Sequence, residues 1–115
     1  MMNTEHYIVL AVFLSFFLWR QLRNQRIKRK LPELMRQGAM IIDVRTRQEY
    51  LGGSNPKAIN IPLDSIAQEA SSLNPHQVVI VCCASGVRSA MAEKILKDKG
   101  FKSVFNAGPW RNTLQ

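Results

Sequence analysis

The chain has 115 residues, a formal net charge of +8 and two cysteines, Cys82 and Cys83, which are adjacent. This length leaves room for one folded domain, and adjacent cysteines are poorly placed for an ordinary structural disulfide because its two backbone positions must be well separated. The adjacent cysteines argue against a disulfide-stapled secreted scaffold and favour a reducing compartment.

Most of the charge is concentrated near the N-terminus. Residues 7–19 are apolar apart from Ser15 and the hydroxyl of Tyr7, and residues 20–30 add six basic residues and no acid. No aromatic or base-reading pattern accompanies the basic run, so we expect no nucleic-acid partner. An apolar segment with a positive flank favours a single-pass anchor in the cell (inner) membrane over residues 1–22, with residues 7–22 in lipid.

This interpretation makes residues 23–30 a basic juxtamembrane linker and places the C-terminal domain, residues 31–115, in the cytoplasm. An uncleaved signal-like segment, an interfacial segment and a soluble helix are the alternatives, because the apolar run is short. A homodimer formed through the anchor is also left open.

Helical and strand patterns alternate after the basic run. A short helix is predicted over 31–37, with Pro32 in its first turn and Gly38 after its end. The apolar residues 39–44 predict a buried strand, and residues 46–51 a helix with a capping box formed by Thr46 and Glu49. A short strand over 58–61 is followed by a helix to about residue 72, capped by Asp64 or Ser65.

The second half of the chain repeats this alternation. Residues 77–82 predict the strongest strand, and residues 87–99 a helix with Ala90, Ile95 and Leu96 on its apolar side. A last strand is predicted over 103–105, followed by a turn at residues 108–109. Alternation of this kind predicts an α/β fold with a small parallel sheet flanked by helices, whose ligand site lies at the carboxyl ends of the strands.

The main candidate for a reactive segment begins at Cys83 and has the sequence Cys83-Ala84-Ser85-Gly86-Val87-Arg88. A cysteine between a strand and a helix N-terminus is exposed to loop N–H groups and to the positive end of the helix dipole, and both favour the thiolate. Strand alternation points Cys82 to the other face, where we expect it in the core, with a resolving thiol as the alternative. Arg88 is expected either to turn back to the thiol or to buttress the loop.

Other catalytic arrangements find no support in the residue pattern. The two histidines, His6 and His76, belong to the N-terminal flank and to a turn, so a Cys–His pair is not expected. Zinc ligands at suitable spacing and a C-x-x-C pair are absent, and we expect neither metal nor cofactor. A thiolate served by backbone N–H groups suits a small anionic or polarisable group attached to sulfur.

From about residue 40 to residue 110 the chain resembles single-domain rhodaneses. The matching segments are Ile41–Arg45 with Glu49 and Tyr50, Gly53–Pro62, Val79–Ala90 and Asn106–Trp110. The resemblance implies a rhodanese-like fold and a sulfurtransferase in which Cys83 takes sulfane sulfur from a donor such as thiosulfate. A persulfide on Cys83 would then pass sulfur to a thiol or protein acceptor.

The resemblance also implies which residues serve the site. The substrate-binding loop would consist of Ala84, Ser85, Gly86, Val87, Arg88 and Ser89. Asp43 and Arg45 are expected to form a structural ion pair or to support this loop from behind. Trp110 is expected to pack on the core, with a position in the wall of the pocket as the alternative.

Loop length and loop charge refine the expected chemistry. Four residues separate Cys83 from Arg88, one fewer than in the related phosphatases and arsenate reductases, and the smaller loop favours sulfur over phosphate. Ala84, Ser85 and Val87 carry no charge, which predicts weak capture of thiosulfate or a different donor. The competing hypotheses are a rhodanese-like module that binds a protein or senses redox state without turnover, and a small phosphatase or arsenate reductase.

Overall fold

A computed structural model describes residues 1–115 as a four-stranded parallel sheet covered by helices. The elements are α1 Thr4–Arg36, β1 Met40–Asp43, α2 Arg47–Leu51, β2 Ile59–Asn60, α3 Leu63–Glu69, β3 Val79–Cys83, α4 Val87–Asp98 and β4 Val104–Pro109. Short 3₁₀ turns follow α3 at Ala70–Ser72 and β4 at Trp110–Thr113. The strand order is β2-β1-β3-β4, with every neighbouring pair parallel, so the predicted α/β class is confirmed.

The two faces of the sheet bury separate apolar clusters. Alternate residues of a strand point to opposite faces, so continuous apolar strands such as β1 and β3 serve both. One cluster, here the α3/α4 face, holds Ile42, Val44, Ile66, Val81, Cys83, Ala92 and Leu96 among others. The other, the α1 face, holds Leu31, Leu34, Ile41, Ala58, Ile80, Cys82 and Ala107. The prediction that Cys82 and Cys83 face opposite sides is confirmed.

Helix α1 replaces three segments that the sequence predicted as separate. Residues 4–36 form one helix, begun by a capping box at Asn3 and His6, with Pro32 inside it. The expected linker at 23–30 is therefore helical, and the expected helix start at residue 31 is wrong. Pro32 lies on the exposed side of α1, while Leu31 and Leu34 are buried in the α1 face. This packing holds the last turns in place despite the backbone donor that proline lacks.

The predicted transmembrane anchor over residues 1–22 is not supported. None of the helices combines the length and the apolar character needed to cross a membrane. The uncharged, mainly apolar run of α1, residues 7–19, is shorter than the roughly 20 residues of a span, and Arg20 follows it directly. The side chains of this run are exposed, including Phe13 at 68% and Trp19 at 55%.

Three smaller predictions also need correction. Helix α3 begins directly after Pro62 without a side-chain cap, and Asp64 lies in its first turn instead. Helix α4 buries Ser89, Ala92 and Leu96, whereas Ala90 is exposed. Strand β4 continues through the residues predicted as a turn, because a register shift after Val81 lets residues 108–109 pair with the end of β3.

Candidate active site

The thiol of Cys83 lies at the carboxyl edge of the sheet, between the end of β3 and the start of α4. The backbone N–H of Gly86 donates a hydrogen bond to its sulfur at 2.9 Å. The Ser89 hydroxyl lies 3.3 Å from the same sulfur, within hydrogen-bond distance, and the Cys83 and Ser89 side chains are both fully buried. The loop therefore folds back over the sulfur atom and surrounds it with polar groups.

Hydrogen bonding outweighs burial in setting the pKa of the Cys83 thiol. Burial by itself raises this pKa, because a buried thiolate loses its hydration. The Ser89 side chain and the backbone N–H groups of Ser89, Gly86 and Ser85 lower it, and the resulting pKa lies below the usual value for cysteine. The nucleophilic thiolate is therefore more populated near neutral pH than in an ordinary cysteine.

Cys82 has the opposite electrostatics. Its pKa is raised far above the usual value, chiefly by burial and further by the nearby Asp43 carboxylate. Its surroundings on the α1 face are apolar side chains such as Leu31 and Ile80. Cys82 therefore stays a neutral thiol.

Gly86 gives the loop a backbone shape that other residues would strain. Its φ is +104°, in the left-handed region, and a Cβ there would lie 3.2 Å from the Cα of Gly108. The side chain of Asn106 donates to the Gly86 carbonyl at 3.2 Å and accepts a hydrogen bond from the Gly108 N–H at 2.8 Å. Asn106 thus joins the loop to β4, a role that its position in the sequence did not reveal.

The guanidinium of Arg88 binds Glu49 of α2 and not the thiol. Two hydrogen bonds of 2.7 and 3.0 Å join the two side chains, which are each about one third exposed. Arg88 lowers the pKa of Glu49 to about 2, with help from the Thr46 backbone. In this geometry the Arg88 side chain links the start of α4 to α2 and does not contact the Cys83 sulfur.

Asp43 and Arg45 form a buried ion pair behind the loop. The Arg45 guanidinium lies 2.8 Å from the carboxylate of Asp43, and their side chains are 7% and 0% exposed. Arg45 also donates to the Gly53 carbonyl at 2.7 Å, and its guanidinium lies 5.0 Å from the ring centre of Trp110. Neither Asp43 nor Arg45 contacts the Cys83 sulfur, and the pair joins the end of β1 to the backbone at Gly53.

Two cavities flank the loop. One, of about 510 Å³, lies between α1 and the segment from Ser85 to Val87. The other, of about 590 Å³, is lined by residues that include Arg47, Asp64 and Arg88. Ala84, Ser85 and Val87 are exposed, so a ligand can reach the loop even though the sulfur itself is covered. Cys83 itself lines neither cavity. Its N–H and hydroxyl neighbours suit a thiolate that would attack without a general base.

Comparison with known proteins agrees with these features. Residues 28–107 match the family of rhodanese-like domains. YrkF of Bacillus subtilis is 39% identical over 69 residues, which cover 60% of this chain and 37% of YrkF. The thiosulfate sulfurtransferase PspE of Escherichia coli is 36% identical over 69 residues, which cover 58% of this chain and 66% of PspE. The match thus spans little more than a third of YrkF and about two thirds of PspE.

Solved structures show the same fold. A rhodanese with anions from E. coli superposes with a TM-score of 0.60 and 33% sequence identity, covering 64% of this chain and 89% of that one. The family match alone extends over more than half of the chain and includes all four strands up to Ala107. The chain therefore belongs to the rhodanese-like domain family.

Proposed function

We propose that this protein is a sulfurtransferase in which Cys83 is the nucleophile. The observation that carries the proposal is the Cys83 thiol itself, held at the carboxyl edge of the sheet by the Gly86 N–H and the Ser89 hydroxyl, with a lowered pKa. The sulfurtransferase name of PspE supports the activity. The anions in the related E. coli rhodanese support a site that accepts a charged donor.

The reaction takes place in two halves. The Cys83 thiolate attacks the outer sulfur of a donor such as thiosulfate; a new S–S bond forms at Cys83, the donor S–S bond breaks, and sulfite leaves with the electron pair. An acceptor thiolate, or cyanide in an assay, then attacks the outer sulfur of the persulfide and releases the Cys83 thiolate. Neither half requires a proton-transferring side chain, and backbone N–H groups suit the charge that develops on sulfur.

The length of the loop favours sulfur as the transferred atom. Only four residues separate Cys83 from Arg88, and the Arg88 guanidinium is engaged by Glu49. A small loop without a free guanidinium offers little to a tetrahedral phosphate, which is bound best by several charge-assisted hydrogen bonds. A phosphatase is therefore the less favoured enzyme.

Full burial of Cys83 favours a second candidate function. The thiol is 0% exposed, which would suit a rhodanese-like module that binds a protein without turnover. The redox-sensing form of this alternative gains nothing from the burial, because a sensor thiol must be accessible to its oxidant. This candidate differs from the first in one measurable property, because it predicts no stable persulfide on Cys83.

The test is sulfur loading of the full-length chain. After incubation with thiosulfate, mass spectrometry should show one added sulfur on the peptide that contains Cys83, and cyanide should release thiocyanate. The Cys83→Ser variant, the matched control, should do neither. No added sulfur with any sulfane donor and no thiocyanate would favour the binding module, and hydrolysis of a phosphate ester would favour the phosphatase.

A further inference from the structure

One face of α1 forms a wall beside the Cys83 loop. Residues spaced by three and four along a helix share a face, and five such residues line the cavity of about 510 Å³: Phe16, Trp19, Arg20, Arg23 and Asn24. The opposite wall consists of the loop, the start of α4 and the end of β4: Ser85, Gly86, Val87, Ala90, Met91, Gly108 and Pro109. The helix and the loop therefore enclose one cavity between them.

Packing fixes the position of this wall. The Asn24 side-chain oxygen accepts a hydrogen bond of 3.0 Å from Asn112, which follows β4. Further along α1, Leu31 and Leu34 are buried in the α1 face of the sheet. Because α1 is continuous, these anchors hold the turn with Arg20 and Arg23 next to the loop.

The cavity has a positive charge that the loop does not supply. Arg20 and Arg23 are the two charged residues that line it, and neither forms an ion pair. The loop side chains are uncharged, and Arg88 is neutralised by Glu49. Two unpaired guanidiniums without an acidic neighbour suit a carboxylate or another planar anion, which guanidinium binds through paired hydrogen bonds.

The remaining lining is apolar and the cavity is large. Trp19 and Phe16 of α1 lie across from Met91 and Val87 of α4, and all four side chains are more than half exposed. A volume of several hundred cubic ångströms is typical of sites for organic molecules. A small inorganic ion such as thiosulfate has no apolar part that could contact these walls.

We propose that the sulfur donor is an organic persulfide that carries a carboxylate. Arg20 and Arg23 bind the carboxylate, and Trp19 and Met91 contact the carbon skeleton. The Cys83 thiolate attacks the terminal sulfur; a new S–S bond forms at Cys83, the donor S–S bond breaks, and the donor leaves as a thiolate with the electron pair. The proposal rests on the proposed function of the protein and adds the substrate class and two binding residues outside the Cys83 loop.

A pair of probes that differ by one charge tests this assignment. N-acetylcysteine persulfide carries a carboxylate, and its carboxamide is neutral. In the full-length Arg20→Gln/Arg23→Gln variant, the KM for the carboxylate should rise roughly fivefold to tenfold, as expected for the loss of two partly exposed charge contacts. The KM for the carboxamide should change much less than the KM for the carboxylate, because the neutral probe has no charge for the two guanidiniums to bind.

The matched control removes the same charge from the same helix. Arg26 and Arg29 do not line the cavity, so Arg26→Gln/Arg29→Gln should keep the wild-type KM for both probes. As a second variant, Ser85→Arg added to the Arg20→Gln/Arg23→Gln background returns a charge to the cavity and should lower the KM for the carboxylate again.

The outcomes separate this proposal from the proposed function. If every variant loads sulfur on Cys83 but Arg20→Gln/Arg23→Gln keeps the wild-type KM, or both double variants raise it equally, the assignment of the donor site is overturned and the sulfurtransferase stands. If the wild-type chain loads no sulfur from either probe or from thiosulfate, the sulfurtransferase is overturned together with its donor site.

Discussion

Cys82 and Cys83 are chain neighbours on opposite faces of the same strand, and their surroundings make them chemically different. Both are fully buried. The α1 face surrounds Cys82 with apolar side chains and a carboxylate, which raise its pKa, whereas the loop above the α3/α4 face gives Cys83 hydrogen bonds that lower its pKa. Burial therefore does not decide whether a thiol is reactive; the hydrogen-bond donors that reach the sulfur do.

The largest expected effect comes from the charge next to Cys82. Asp43→Asn leaves the Arg45 guanidinium buried without a charged partner, which should lower the free energy of unfolding by about 3 kcal/mol. Urea denaturation of the full-length chain measures this change. The exposed pair Lys94–Asp98 provides the control, and Asp98→Asn should change stability little. Equal losses in the two variants would contradict a structural role for the buried pair.

A smaller effect is expected from the hydroxyl next to Cys83. Ser89→Ala removes the side chain that contributes most to lowering the pKa of Cys83, so that pKa should rise. Because the thiolate reacts, the acidic limb of the rate profile should move to higher pH, and sulfur loading near neutral pH should slow by on the order of tenfold, the value of one hydrogen bond to a charged group.

Thiolate absorbance during a pH titration measures the same change directly. Ser85→Ala is the matched control, because Ser85 affects the pKa of Cys83 through its backbone N–H, which alanine keeps. If both variants titrate alike, the side chain of Ser89 does not set the pKa of Cys83.

The smallest effect is expected from Cys82 itself. Cys82→Ala removes a neutral, buried thiol, so sulfur loading and the titration of Cys83 should stay at wild-type values, with a stability loss of about 1 kcal/mol for the small cavity. Mass spectrometry of the Cys83 persulfide measures sulfur loading, and urea denaturation measures the loss of stability. A slower discharge of the Cys83 persulfide in this variant would instead support the resolving-thiol alternative for Cys82.

Local rules predicted the strands and the separation of the two cysteines. Alternation along an extended chain has a period of two, so Cys82 and Cys83 had to face opposite sides wherever β3 lay in the sheet. The capping box at Thr46 and Glu49 was also predictable, because its hydrogen bonds span three residues, and the structure confirms it.

Such local rules cannot predict contacts between segments that are far apart in the sequence. Glu49 pairs with Arg88 across 39 residues, a contact that depends on how α2 and α4 meet at the sheet edge. Pro32 predicted a helix start, yet the packing of Leu31 and Leu34 keeps it inside a helix, an example of tertiary structure overriding local preference. Arg20 and Arg23 were assigned to a membrane flank because nothing local shows that their face of α1 lies beside the Cys83 loop.

The continuity of α1 has a practical consequence for any shortened version of this protein. A fragment that begins at residue 31 would start in the last turns of a helix that depends on the preceding residues for its hydrogen bonds. It would also lose Asn24, the partner of Asn112, and Ile27, which packs on the α1 face. Truncations meant to preserve the fold should therefore begin upstream of Asn24, and those meant to preserve the cavity upstream of Phe16.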